Sequence, residues 1–275
     1  MINRKNIESK IRIIFVALCC PALLYSQEAD TLGVVSEIIT ETDTVGIVTE
    51  VVETKTSFQK AREIAEITLP SLMVVYGVVS IENGALKELD SSTGNELSED
   101  HLLLYHKIDD YMQYSPAAAA FVMNLAGVKS KHKLGEMALL YALSNGVMGG
   151  VVYPLKNTVE RKRPDSFRQN SFPSGHTATA FAAAEFLHQE YGEQSPWISA
   201  GGFTMATLIG FSRVFNNRHW VSDVVAGAGI GILSTKLVYW GYPYLKKMVL
   251  PGNDRAIVFP AYENGNVEIY FSLYF

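Results

Sequence analysis

From about Ser57 to Lys247 the chain runs through long apolar stretches dominated by Ala, Leu, Gly and Met, a pattern that points to helices packed on helices. Candidate helices fall near 57–80, 100–127, 134–160, 175–191, 196–214 and 219–242, with Pro70 placed to kink or shorten the first. The stretch 82–100 is polar and carries Asn83-Gly84 and Asn95, so it reads as a loop. The expected fold class is therefore all-α, a compact six-helix bundle rich in small residues. Uncharged runs cover 67–81, 111–128, 137–155 and 194–212, and only the last two approach the ~20 residues needed to span a bilayer.

The two ends differ from this body. Arg4, Lys5, Lys10 and Arg12 precede the apolar run Ile13–Tyr25, and Ser26-Gln27 offers a cleavage point before an acidic stretch. Residues 1–26 thus read as a secretory signal peptide, with an uncleaved anchor helix as the competing reading. Both cysteines, Cys19 and Cys20, lie within it, which leaves the expected mature fold without disulfides or thiolate metal sites. Lipidation there is disfavoured because Leu18 is bulky. Residues 27–56 form a polar linker in which Asp30-Thr-Leu-Gly-Val-Val is echoed by Asp43-Thr-Val-Gly-Ile-Val, too few copies for a solenoid. At the other end, 249–275 reads as a β-hairpin about Asn264-Gly265. The helical body between them, 57–248, is the expected catalytic domain. A net charge of −5 without a basic tail gives no signature of nucleic-acid binding.

Three short segments carry the chemistry. In the first, Lys156 and Arg163 are seven apart, two helical turns, and Pro164 places Arg163 at a helix–loop boundary. A guanidinium fork grips two phosphate oxygens while an ammonium adds a point charge. Arg161 and Lys162 between them are expected to face solvent. In the second, Pro173-Ser174-Gly175-His176 opens an Ala/Thr-rich helix, where free backbone N–H groups and the Ser174 hydroxyl suit an anion and Gly175 permits close approach. His176 falls in the first turn, where the helix dipole lowers its pKa and a bound phosphate would restore the proton a general acid needs. In the third, Arg213 ends one helix while His219 and Asp223, four apart, share a face of the next. A carboxylate accepting the Nδ1 proton leaves Nε2 free to attack, and a phosphohistidine divides hydrolysis into two easier steps.

The pattern Lys156-x6-Arg163-Pro164, then Pro173-Ser-Gly-His176, then Ser212-Arg213-x5-His219-x3-Asp223 resembles the type 2 phosphatidic acid phosphatase superfamily. That superfamily also contains class A acid phosphatases and vanadium haloperoxidases. The resemblance covers about 57–245 and leaves the repeat and the hairpin unexplained. It implies His219 as nucleophile oriented by Asp223, and His176 as the group that protonates the leaving alkoxide and later activates water. It further implies Lys156, Arg163, Ser174, Gly175 and Arg213 as the phosphate-binding set. No cofactor or metal is expected, because cationic side chains supply the needed charge, and vanadate is expected to inhibit as a phosphate mimic.

The leading expectation is a phosphomonoesterase acting on lipid phosphates, isoprenoid diphosphates or phosphorylated lipid A. A broad acid phosphatase for small soluble esters is the near alternative. A vanadate-dependent haloperoxidase and a non-catalytic envelope binding protein are alternatives of other classes. The expected partners are a phosphorylated lipid or small phosphoester and a membrane, with the site outside the cytoplasm. Topology pulls against that siting, since a cleaved signal followed by spans at 67–81, 111–128 and 137–155 would put the site on the cytoplasmic face. Elsewhere, His101, His106, His132 and His188 lack ligand-like spacing, Asp109-Asp110 lacks a third ligand, and Asp165 is a candidate to support the phosphate motif.

Overall fold

The structure, a computed structural model, describes residues 57–99, 108–249, 256–263 and 266–273. The signal segment 1–26, the repeat-bearing linker 27–56, His101, His106 and the turn residues Asn264-Gly265 lie outside the described residues. Eight helices are described: α1 (Ser57–Glu82), α2 (Gly84–Glu99), α3 (Ile108–Met112), α4 (Ser115–Leu125), α5 (Leu134–Thr158), α6 (Gly175–Tyr191), α7 (Pro196–Phe215) and α8 (Val221–Val249). Two strands follow, β1 (Ala256–Glu263) and β2 (Asn266–Leu273), paired antiparallel from Ala256–Leu273 to Glu263–Asn266.

Six helices build the bundle, α1 and α4 to α8; five match expected segments, and α4 occupies part of the sixth. α6 is its axis: twelve of its residues are buried, on every side of the helix, so it is enclosed by neighbours along most of its length. α8 lies parallel to α6 at very close range. A Cβ at Gly227 would come within 2.5 Å of the Ser174 carbonyl, and one at Gly231 within 2.3 Å of that of Ala178. Only glycine allows this approach, which brings the N-termini of α6 and α8 side by side. α7 returns antiparallel, with His188 bonded to Ser199 Oγ at 2.7 Å. The main core joins Phe181, Phe203, Val214, Val224 and Ile232 from α6, α7 and α8 with Met73 of α1.

Two segments depart from the sequence reading. The stretch expected as a loop is helix α2: the Asn83 side chain accepts the Leu86 N–H at 3.2 Å, so this residue caps a helix start where a turn was expected. Tertiary contact then holds this polar helix, because its Asp90 is buried among residues 161 and 222. The segment expected as one helix over 100–127 is split at Gln113-Tyr114 into α3 and α4, since Pro116 suits the first turn of a new helix. α1 runs on through Pro70.

Among the described residues, four helices are long and apolar enough to cross a membrane: Glu63–Glu82, Leu134–Thr158, Pro196–Phe215 and Val221–Lys247. The sequence reading found two because it counted uncharged runs, and Lys236 interrupts the run in Val221–Lys247 while Glu63 and Glu66 shorten that in Glu63–Glu82. On α1, Ile64, Ile67, Leu72, Val75 and Val78 all point outward, an exposed apolar face that water disfavours and lipid suits.

Candidate active site

At one end of the bundle the chain leaves α5, enters α6, leaves α7 and enters α8, so all three motifs converge there. α5 stops at Thr158, and Val159 takes up extended backbone. Lys156 and Arg163 therefore meet because the chain folds back, a correction to the expectation that one helical face carries both. Asn170 ties them together: its carbonyl accepts from Lys156 Nζ at 3.1 Å and its Oδ1 from Arg163 Nε at 3.0 Å. A bridge between Arg161 and Asn170, with Ser171 N–H donating to the Arg161 carbonyl at 3.0 Å, closes the return. Burial holds the Arg163 guanidinium below its usual range, Asp165 opposes that, and Arg213 adds to it.

Ser174 sits at the buried start of α6, its hydroxyl paired with that of Thr177 at 2.9 Å and its N–H donating to the Asp223 carbonyl at 3.0 Å. A side chain at Gly175 would touch Lys156 Cε at 3.5 Å, so this glycine keeps the floor beside that lysine open. His176 follows in the first turn, 28% exposed, with Nε2 2.7 Å from Asp110 Oδ1 of α3.

The step from α7 to α8 uses Asn217 in the left-handed region at φ 56°, a conformation asparagine tolerates. This turn folds the chain back so that the Arg213 carbonyl accepts from Arg218 N–H at 3.0 Å and from His219 N–H at 3.3 Å. The Ser-Arg-x5-His spacing is thus the length of one tight reversal that seats His219 against buried Arg213. His219 is 2% exposed, with Nδ1 3.7 Å from Asp223 Oδ2, a charge contact longer than a hydrogen bond. Burial lowers the His219 pKa to about 4; Asp223 opposes this, while Lys156 and Arg163 add to it. This shift favours the neutral imidazole.

Asp223 is fully buried and held by other donors. Arg161 Nη1 reaches Oδ1 at 2.9 Å, while Ser171 Oγ at 2.5 Å and Trp220 N–H at 3.0 Å reach Oδ2. Arg161 is therefore buried behind His219, contrary to the solvent-facing placement expected from sequence. Part of the signal was available: Pro164 disfavours helix at Arg163, and an extended segment there puts Arg161 on the opposite side from exposed Lys162. Asp110 was set aside for want of a third ligand, but its partner is a histidine. Asp165 supports the motif through Arg218 Nη1 at 2.8 Å. His132 pairs with Glu190 at 2.9 Å on the far end of the bundle, away from this site.

A family model described as the PAP2 superfamily matches residues 136–247, the segment that holds all three motifs. The Lipid A 1-phosphatase of Porphyromonas gingivalis is 49% identical over 135 residues, which cover 49% of this chain and 30% of that protein. The chain thus spans under a third of that relative's length. The Lipid A 4'-phosphatase of Helicobacter pylori is 29% identical over 154 residues, 52% of this chain and 69% of that protein. Among solved structures, the transmembrane PAP2-type phosphatidylglycerolphosphate phosphatase of Bacillus subtilis superposes with a TM-score of 0.50 at 22% identity, covering 67% of this chain and 98% of that one, a likeness of fold. Motif order and the matched segment agree: residues 136–247 match the PAP2 superfamily, and the solved structure shares the fold.

Proposed function

We propose that this protein is a metal-independent phosphomonoesterase that hydrolyses lipid-linked phosphate or diphosphate esters through a phosphohistidine on His219. The observation that carries this reading is the convergence of a buried neutral histidine, a second histidine at the mouth and three cations on one end of a helical bundle. Lys156, Arg163, Arg213 and the N-terminus of α6, with Ser174 and Gly175, bind the phosphoryl oxygens. His219 Nε2 attacks phosphorus as the bond to the leaving oxygen breaks, and His176 delivers the proton that oxygen takes up. Asp223 offsets the positive charge developing on the imidazole. His176 then removes a proton from water, which attacks the phosphohistidine, releases inorganic phosphate and restores the neutral histidine.

Lipid substrates are favoured over small soluble esters by the outward apolar face of α1 and by aromatic residues around the site. Phe167 is 94% exposed on the loop after Arg163, and Tyr111, Tyr114 and Tyr153 are exposed at the same end. Trp197, Trp240 and Tyr244 are exposed at the other end. Two aromatic girdles flanking apolar helices match the two interfaces of a bilayer, with the site at one of them. The similar lipid A phosphatases agree with that substrate class. Placement of the site on the periplasmic side is part of the same proposal.

Purified protein offered a lipid phosphate and p-nitrophenyl phosphate tests the reading. Lipid-preferring phosphate release that survives EDTA and is suppressed by vanadate is the expected result. Preference for the soluble ester would favour the acid-phosphatase alternative, and loss of turnover on chelation would sink the metal-free mechanism.

A further inference from the structure

Behind His219 lies a second layer of buried charge that the phosphoryl-transfer scheme does not use. We propose that Asp90 and Arg161 are positioning residues for the nucleophile, a clamp that fixes the Asp223 carboxylate in the orientation from which it steers His219. This inference rests on the phosphatase reading of the site and adds to it a part supplied by α2, a helix outside the segment the family model matches.

Arg161 is 9% exposed and Asp90 2%. The Arg161 fork spends both terminal nitrogens inward: Nη1 on Asp223 Oδ1 at 2.9 Å and Ser222 Oγ at 2.8 Å, Nη2 on Asp90 Oδ2 at 2.5 Å. Asp90 is fixed in turn by Ser222, whose N–H donates to Oδ1 at 3.0 Å and whose hydroxyl donates to Oδ2. Ser222 immediately precedes Asp223, so α2 grips the first turn of α8 at the residue beside the one that matters.

The charge arrangement favours a role beyond stability. Burial works against the charged form of Asp90, with the two Ser222 hydrogen bonds and Arg161 opposing it. A buried ion pair is weak support for a fold, because desolvation offsets the attraction. A guanidinium held between two carboxylates cannot rotate away from either. It therefore holds Asp223 whether or not His219 is engaged, and His219 Nδ1, 3.7 Å away, closes onto a carboxylate already in place. The Asp223 carboxylate held at this distance suits a neighbouring imidazole that becomes positive during attack.

The test is made on the full chain in detergent with Asp90→Asn, Arg161→Lys and the double variant. Asparagine keeps an oxygen for the Ser222 N–H but turns an amide nitrogen toward Arg161 Nη2, while lysine keeps the charge and loses the fork. Each single change is expected to lower kcat about 10–100-fold, the range typical of outer-shell partners, with KM and inhibition by orthophosphate within about twofold. The double variant should be no worse than the worse single, since both act through one carboxylate. Glu185→Gln, which removes a buried carboxylate 3.1 Å from Lys236 in the bundle interior, should lower the melting temperature and leave kcat intact.

A turnover-independent reading comes from 15N-histidine spectra: His219 should hold one Nδ1–H tautomer in wild type and a mixture in Asp90→Asn. Wild type without turnover on any phosphoester, but with this tautomer shift, would overturn the phosphatase reading alone. Unchanged kcat and an unchanged tautomer in Asp90→Asn would overturn the clamp alone, as would a kcat loss that merely follows the melting temperature as Glu185→Gln does.

Discussion

The two histidines of the site live in opposite surroundings. His219 is buried, backed by a carboxylate that three other donors hold, and seated by the reversal between two long helices. His176 is part exposed, and its carboxylate partner Asp110 is 52% exposed on a helix of five residues. The difference fits the role proposed for each group. A nucleophile meets one atom, phosphorus, from one direction, so fixing it before substrate arrives lowers the barrier. A proton donor that later takes a proton from water must admit a leaving group, release it and admit the water. That half of the site has to stay open.

The largest expected effect breaks the buried half. His219→Ala removes the attacking atom, and phosphate release should fall by roughly 10⁴-fold or more on every ester, with no labelled phosphoenzyme trapped by acid quench. His176→Ala should behave differently, and this sharpens the contrast. Proton delivery matters most for a poor leaving group, so the loss should be about 10²–10⁴-fold on a lipid phosphate and much smaller for formation of the phosphoenzyme from p-nitrophenyl phosphate. Equal losses on both esters in a pre-steady-state burst would show that His176 is not the proton donor.

The halves also differed in how far the sequence disclosed them. Lys156, Arg163, Ser174, His176, Arg213, His219 and Asp223 sit in three short segments, each organised by local geometry: a fold-back after Thr158, a helix start at Gly175, a left-handed turn at Asn217. Their grouping at one end then follows from the alternation of α5 to α8. Arg161 was misplaced because a helix was extended two residues too far, which turned a period-2 segment into a solvent-facing helical side. Asp90 gave no local sign at all. Its partner Ser222 is 132 residues away, and the polar sequence around it looks like a loop until that contact is known. Asp110 was visible as half of an acidic pair, but its neighbour in space comes 66 residues later.

Acid titration reads the buried half directly. A solvated histidine would lose its nucleophilic form below pH 6.5, whereas burial keeps His219 neutral to about 4. The acid limb of kcat/KM set by this group should therefore lie near pH 4, falling about tenfold per unit below it. Stability carries the opposite face of the same shift. Between pH 6.5 and 4 the unfolded chain binds a proton on this residue and the folded chain does not. Stability is lost as pH falls through that window and levels off below it. His219→Gln should flatten that part of the melting-temperature profile. An acid limb near 6.5 in wild type would mean that the nucleophile is solvated, and the contrast between the two halves would disappear.

The smallest effect tests the open half. Asp110 and His176 form a contact at 2.7 Å between two part-exposed groups, so water competes for both and screens their attraction. Asp110→Asn should therefore lower kcat only about 3–10-fold, and the loss should shrink as ionic strength rises because wild type then loses the same attraction. An effect as large and as insensitive to salt as that expected for Asp90→Asn would mean that α3 closes over His176 when substrate binds. The open half would then become as enclosed as the buried one at the moment of transfer, and the contrast between them would belong to the free enzyme alone.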